Sequence, residues 1–379
     1  MRTIFLSLLL MSGLLNNNYS CYCQKITVLP LQDAYKKPEP ITSKEFVESF
    51  TYIPLESSPA SFIDANPKIN LTSEYIIVIN FKKCLLFDRF SGKFLREIGH
   101  YGRDPGGYLG TSSGFYDEPT SAFYFKGWKD ELFKYSLKGD KIGSVPHPAE
   151  GGLSFTLTPE QFNYLGDSLI VCNILNTNGI QDKLIMIFDE KRKVLRTIPN
   201  RNITKEQATH LSIGSLNFFH YDGKLLYSEI YSDTIFHLTS DKVVPYLIWE
   251  KGPFRASRIF HMSPPETITT RVFFESKKYV SFTFSPFDDR FFALYDKSTS
   301  KLKVCKIPLG IKNDIDGFMP FIPVAIHNEE LIGLIQAIDV VGWFERNKVT
   351  KEKIPQSVEK LSAIEVTDNP VVVIAKLKM

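Results

Sequence analysis

One unit recurs along this chain: an apolar strand running to an aromatic residue, a polar turn, and a second strand that alternates apolar with polar. It appears over residues 84–98 with the turn Ser91-Gly92-Lys93, over 132–142 with Lys138-Gly139-Asp140, and over 184–195. Weaker copies follow over 235–243 and 293–302. Aligned on Phe87, Tyr135, Phe188, His237 and Tyr295, the copies are spaced by 48, 53, 49 and 58 residues. A period of about 40 to 50 residues built from strands marks a propeller blade and not a helical solenoid. Glycine in the turns supplies the positive φ that tight hairpins demand, so each unit reads as the outer hairpin of a blade.

Short runs rich in β-branched and aromatic residues precede the hairpins, at 75–79, 122–125, 169–172, 225–228 and 280–284. They read as the inner strands of five blades. A sixth blade draws on both ends of the chain. Residues 323–326, 331–335 and 371–375 supply three strands, and the unmatched strand at 50–55 supplies the fourth. Closure by the chain's own ends would remove the exposed strand edges that invite aggregation. The expected fold is therefore all-β: a six-bladed β-propeller of four-stranded antiparallel blades, the last closed by the N-terminal strand.

Upstream of the repeat, Arg2 precedes an apolar run over residues 4–15 that ends in Asn16-Asn17-Asn18, the layout of a secretory signal. The run is shorter than the ~20 residues a membrane span needs. Cys21 stands just beyond it as a candidate lipidation site, with ordinary cleavage near residues 20–24 as the alternative. The expected organisation is a signal peptide over 1–23, an N-terminal extension over 24–45 and the propeller over 46–379. An exported chain follows, periplasmic or associated with the outer membrane or cell surface, touching the membrane only through a lipid anchor.

The strand at 50–55, the segment Ile98-Gly99-His100-Tyr101-Gly102-Arg103-Asp104-Pro105-Gly106-Gly107-Tyr108 and the ending Asp368-Asn369-Pro370 with the apolar run after it resemble the exported six-bladed propellers of Bacteroides-type bacteria, which are similar to NHL-repeat proteins. The resemblance spans nearly all of the mature chain and implies a fold more than a function. Here Arg103-Asp104 replaces a small residue and glycine, and Gly107 replaces an acidic residue. No Gly-His to Trp-Asp repeat, sialidase box or recurrent paired glycine points to another propeller type.

A net charge of +3 with 23% charged residues offers no basic stripe for nucleic acid. The five cysteines lack zinc spacing and read as no disulfide framework; Cys84, Cys172 and Cys305 sit in apolar runs as small buried hydrophobes. No metal site, cofactor motif or nucleophile elbow is present among the seven histidines and the serines. Asn313-Asp314-Ile315-Asp316-Gly317 reads as a plain turn in preference to a calcium loop.

Two segments supply candidate binding residues. The glycine-rich loop, at a blade-to-blade crossover, carries His100, Tyr101, Arg103 and Asp104, either as ligand contacts or as part of a rigid turn. The break over residues 251–278 carries Arg255, Arg258, His261 and Arg271, suited to a carboxylate, sulfate or phosphate, with a solvated surface cluster as the alternative. The residues favour a monomeric binding platform for a carbohydrate, peptide or envelope protein over a catalyst. The alternatives are a hydrolase or lyase with its site at the central channel, which ionisable side chains there would favour, and a structural scaffold in an envelope complex.

Overall fold

The computed structural model describes residues 26–64, 67–148, 159–176, 179–201, 203, 216–229, 232–256, 266–286, 289–347 and 355–379. Six four-stranded antiparallel arrays form a six-bladed β-propeller. The first blade is Lys68–Leu71, Tyr75–Ile79, Cys84–Asp88 and Phe94–Glu97. The second is Gly110–Asp117, Ala122–Lys126, Glu131–Ser136 and Lys141–Pro146; the third is Pro159–Gly166, Leu169–Ile174, Lys183–Asp189 and Val194–Pro199. The fourth is Leu216–Tyr221, Lys224–Glu229, Thr234–Leu238 and Val243–Trp249, and the fifth is Thr269–Glu275, Tyr279–Ser285, Phe291–Asp296 and Lys301–Lys306. In the sixth, Pro323–His327, Glu330–Ile335 and Val371–Leu377 are joined by Val47–Pro54, which pairs antiparallel with Val371–Leu377 from Val47 opposite Leu377 to Pro54 opposite Val371. The ring is closed by the N-terminal strand.

Alternation explains why these sheets stand in a ring. Successive side chains of a strand point to opposite faces, and here both faces are apolar. Ile77 and Ile79 join Phe123, Phe125 and Tyr135 between the first and second blades, whereas Ile76 and Val78 join Val372 and Ile374 between the sixth and first. Val371 and Val373 face the fifth blade in turn. Six buried clusters result, one at each junction between neighbouring blades. Cys84, Cys172 and Cys305 are buried free thiols within them. Burial pushes Cys172 up to about 12 and Cys305 up to about 11, leaving inert packing groups.

The runs at 75–79, 122–125, 169–172, 225–228 and 280–284 are the second strands of their blades, not the innermost ones. The channel is lined by the strands before them, such as Gly110–Asp117 and Leu216–Tyr221, which bridge neighbouring blades. Lys68 Nζ donates to Ser112 O at 3.0 Å, and His220 Nε2 lies 2.8 Å from Asn163 Oδ1.

Residues 27–46 run as a strap around three blades. Thr27–Leu29 adds a fifth, parallel strand to the fourth blade, opposite Leu247–Trp249. The helix Leu31–Lys36 sets Tyr35 edge-on against Phe254, Phe284 and Phe291. Glu39 N–H then donates to Val304 O of the fifth blade, and Ser43 N–H to Lys312 O, before the chain enters the sixth. No helix among the described residues is long and apolar enough to cross a membrane.

Candidate ligand-binding face

Antiparallel blades force an inequality between the two ends of the ring. First-to-second and third-to-fourth strand connections share one end; second-to-third connections and blade-to-blade crossovers share the other. The first end holds tight turns, such as 72–74, 167–168, 222–223 and 328–329, and none exceeds 89–93 in length. The second end holds crossovers such as 98–109, 250–268 and 307–322, and the helix-bearing excursion 336–370 of the sixth blade. The exposed apolar side chains follow the same division. Phe62, Phe81 (60% exposed), Tyr101 (41%), Leu309 (80%) and Ile338 lie at the long-connection end. Within the tight turns themselves the described residues contribute only Phe90, with Met379 at the chain end, although Leu95, Ile142, Val194 and Leu195 are exposed where the outer strands begin.

The crossover 98–109 is a built bracket. Gly99 takes φ +61°, and a Cβ there would lie 2.6 Å from the Tyr135 ring; a Cβ on Gly107 would lie 2.5 Å from Gly102 O. Three aromatic donors pin its surroundings: Tyr135 OH to Gly106 O at 2.7 Å, Trp128 Nε1 to Gly102 O, and Tyr108 OH to Lys82 O at 2.9 Å. Tyr108 and Tyr135 are wholly buried beneath it. The glycine-rich segment thus encodes rigidity, and four side chains project from the rigid frame. His100 pairs with Asp104 at 2.5 Å, and its imidazole holds the Asp104 carboxyl below the usual carboxylate range. Arg103 lies over the Trp128 ring, its Cζ 4.7 Å from the centroid, and Lys82 Nζ lies 5.3 Å from that of Tyr101. The Tyr101 and Trp128 rings are 6.2 Å apart. His100, Tyr101, Arg103 and Asp104 therefore do come together, joined by two residues that sequence reasoning missed, Lys82 and Trp128. A signal existed: Trp128 sits in the polar turn Gly127-Trp128-Lys129, where a large apolar ring has no local reason to be.

The second group does not join them. Arg255, between the fourth and fifth blades, pairs with Asp233. Lys251 nearby is only 2% exposed and donates to Ser232 O at 2.9 Å and Ile268 O at 3.2 Å; burial pushes it down to about 8. Arg271 belongs to the innermost strand Thr269–Glu275, its side chain outside the described residues, as are Arg258, His261 and Cys21. In the segment 313–317 the carboxylates are taken by protein donors. Asp314 accepts from Ser43 Oγ and Lys44 N–H, and Asp316 from Tyr52 OH and Ser357 Oγ.

At the tight-turn end an ionisable cluster ties the fourth blade to the fifth. Glu275 Oε1 accepts from Tyr246 OH at 3.0 Å and Lys297 Nζ at 2.6 Å, while Lys297 also donates to Ser276 O and lies over the Tyr221 ring. Burial pushes both Glu275 and Tyr246 up.

These features define a β-propeller with one loop-rich end presenting a rigid aromatic and cationic shelf. The chain belongs to the family described as a domain of unknown function, DUF4934, which matches residues 26–376. Among solved structures it is similar to one from Bacteroides fragilis designated an exported protein: 13% identity, a TM-score of 0.69, and coverage of 93% of this chain and 100% of that one. At this identity the likeness establishes the fold alone. The extracellular domain of a hybrid two-component system from B. thetaiotaomicron is more distant, at 11% identity and a TM-score of 0.37 over 75% of this chain and 32% of that one. No curated protein matches the chain in sequence.

Proposed function

We propose that this propeller is an exported binding protein that engages a carbohydrate, peptide or envelope-protein partner through its long-connection end. The observation that carries the reading is the division between the ends: tight polar turns on one side, long connections with exposed aromatic and aliphatic side chains on the other. Loops held by a rigid scaffold are where proteins place recognition, and clustered exposed apolar surface costs solubility unless a partner covers it. Kinship with NHL-repeat propellers, a leader over residues 1–23, an anchor at Cys21 and a monomeric state belong to the same proposal.

The test is a thermal-shift screen of the mature chain against glycans and peptides, followed by hydrogen-exchange footprinting of each hit. A ligand that binds only the folded state raises the melting temperature. Protection is expected in 80–83, 98–109 and 127–130. Protection confined to the tight turns overturns the reading.

A hydrolase or lyase has one observation in its favour, the Glu275, Lys297 and Tyr246 cluster with its raised carboxyl and phenol. On that reading Glu275→Gln abolishes turnover of a chromogenic glycoside or ester substrate while the chain stays folded. Activity that survives the substitution excludes the cluster as its source.

A further inference from the structure

The shelf at the long-connection end has chemistry narrower than the general reading, on which this inference rests. Two cations lie on two rings, Lys82 on Tyr101 and Arg103 on Trp128. Neither cation has a carboxylate partner among the described residues, whereas Asp104, the carboxylate on the same crossover, is occupied by His100. Charge balance at the shelf is therefore left for something else to complete. The frame does not need to be ordered first, because Gly102 N–H donates to Tyr108 O at 3.2 Å, Gly107 N–H to Asp104 O at 2.9 Å, and the pinned carbonyls of Gly102 and Gly106 fix the rest. A preorganised site loses little affinity to ordering.

We propose that this shelf binds an acidic carbohydrate, a chain bearing uronate carboxylates. Tyr101 and Trp128 offer ring surface not covered by their cations to the flat apolar faces of pyranose units, and Arg103 and Lys82, lying over the rings, are within reach of carboxylates for charge-assisted hydrogen bonds. An acidic peptide fits less well. Extended peptides dock on a free sheet edge or in a groove, and the short strand pair His100–Tyr101 with Gly107–Tyr108 already uses its own backbone. The rings stand on an open, rigid surface, which suits a stiff chain of rings.

The experiment is calorimetric titration of the mature protein with an oligogalacturonate, a neutral gluco-oligosaccharide of equal length, a sulfated oligosaccharide and oligoglutamate. The oligogalacturonate is expected to bind at least about tenfold more tightly than the neutral oligomer, one such factor being the free energy of a single good charged contact. Tyr101→Ala is expected to weaken it about tenfold, and Arg103→Gln and Lys82→Gln about three- to tenfold each, with affinity falling as salt rises. Unchanged melting temperatures show that the variants stay folded. Tighter binding of the sulfated chain through the same residues overturns the uronate assignment and leaves an anionic-glycan site. Equal binding of oligoglutamate overturns the carbohydrate assignment. Absence of binding by folded wild-type protein overturns both, and a different ligand that protects this end independently of Tyr101, Lys82 and Arg103 leaves the general reading standing without this one.

Discussion

Asn369 accepts from Ile63 N–H at 3.0 Å and donates to Glu56 O at 2.7 Å and Ser61 O at 2.9 Å, all at the seam where the N-terminal strand meets the first and sixth blades. It is 2% exposed, and its bonds to Ile63 and Ser61 are buried, with no ready exchange with water. Asn369→Ala leaves the Ile63 N–H and the Ser61 carbonyl unpaired, while Glu56 O keeps the Ser61 hydroxyl, and is expected to lower stability by about 2 kcal/mol or more, measured by urea denaturation. Asp368-Asn369-Pro370 was read from sequence only as part of a resemblance; its physical work is to hold the ring shut. A second residue sets a pH limit. His147 is buried against the Phe162 ring, and desolvation, with Lys126 assisting, pushes its imidazole down to about 4. The unfolded chain takes up this proton near about 6.5, and the folded chain does so only near 4. Stability is therefore intact above about 6.5 and drains away as pH falls towards 4, by about 3 kcal/mol from this group alone. His147→Leu is expected to flatten that limb when denaturation midpoints are compared between about pH 7 and 4.5.

Among the strands, those most legible in the sequence have both faces buried. Tyr75–Ile79 and Lys183–Asp189 are nearly continuous apolar runs, because they lie between two neighbouring blades. The channel strands of the first five blades are illegible for the opposite reason. Gly110–Asp117 contains Thr111, Ser112, Ser113 and Gly114, and Pro159–Gly166 contains Gln161 and Asn163; beside a polar channel there is little selection for a β-branched alternation. The helix Ala337–Asn347 was also missed, although Ala337, Val340 and Phe344 fall on one helical face, and its Trp343 packs on Phe318 at 4.8 Å. The strap is invisible locally because Thr27–Leu29 finds its partner in the fourth blade, far along the chain. Deleting residues 26–41 removes a parallel strand and the buried Leu29 and Leu31, uncovering Trp249, while sparing the closing strand Val47–Pro54. The expected result is a folded ring with its melting temperature lowered by roughly 5 to 15 °C, since burying two leucines and an aromatic contributes several kcal/mol. Complete loss of cooperative unfolding would show that the strap is part of the closure itself.

For the molecule as a whole, the repeat period and the unmatched strand near the start specify the ring, because a blade is a local unit repeated. The candidate site was only half legible. The crossover with His100, Tyr101, Arg103 and Asp104 lies in one stretch of chain, whereas Lys82 and Trp128 arrive from two other connections, and only folding sets them beside it. Arg255 fell away from this group since Asp233 claims it between the fourth and fifth blades. The closing strand has one more implication, concerning time. Residues 47–54 are synthesised early, yet their hydrogen-bonding partner is residues 371–377, so a chain emerging in order must keep Phe50, Tyr52 and Ile53 waiting through the making of five blades. The sixth sheet is the last to assemble, and until it does both neighbouring blades show bare flanks; the molecule completes its circle only when nearly everything else has been made.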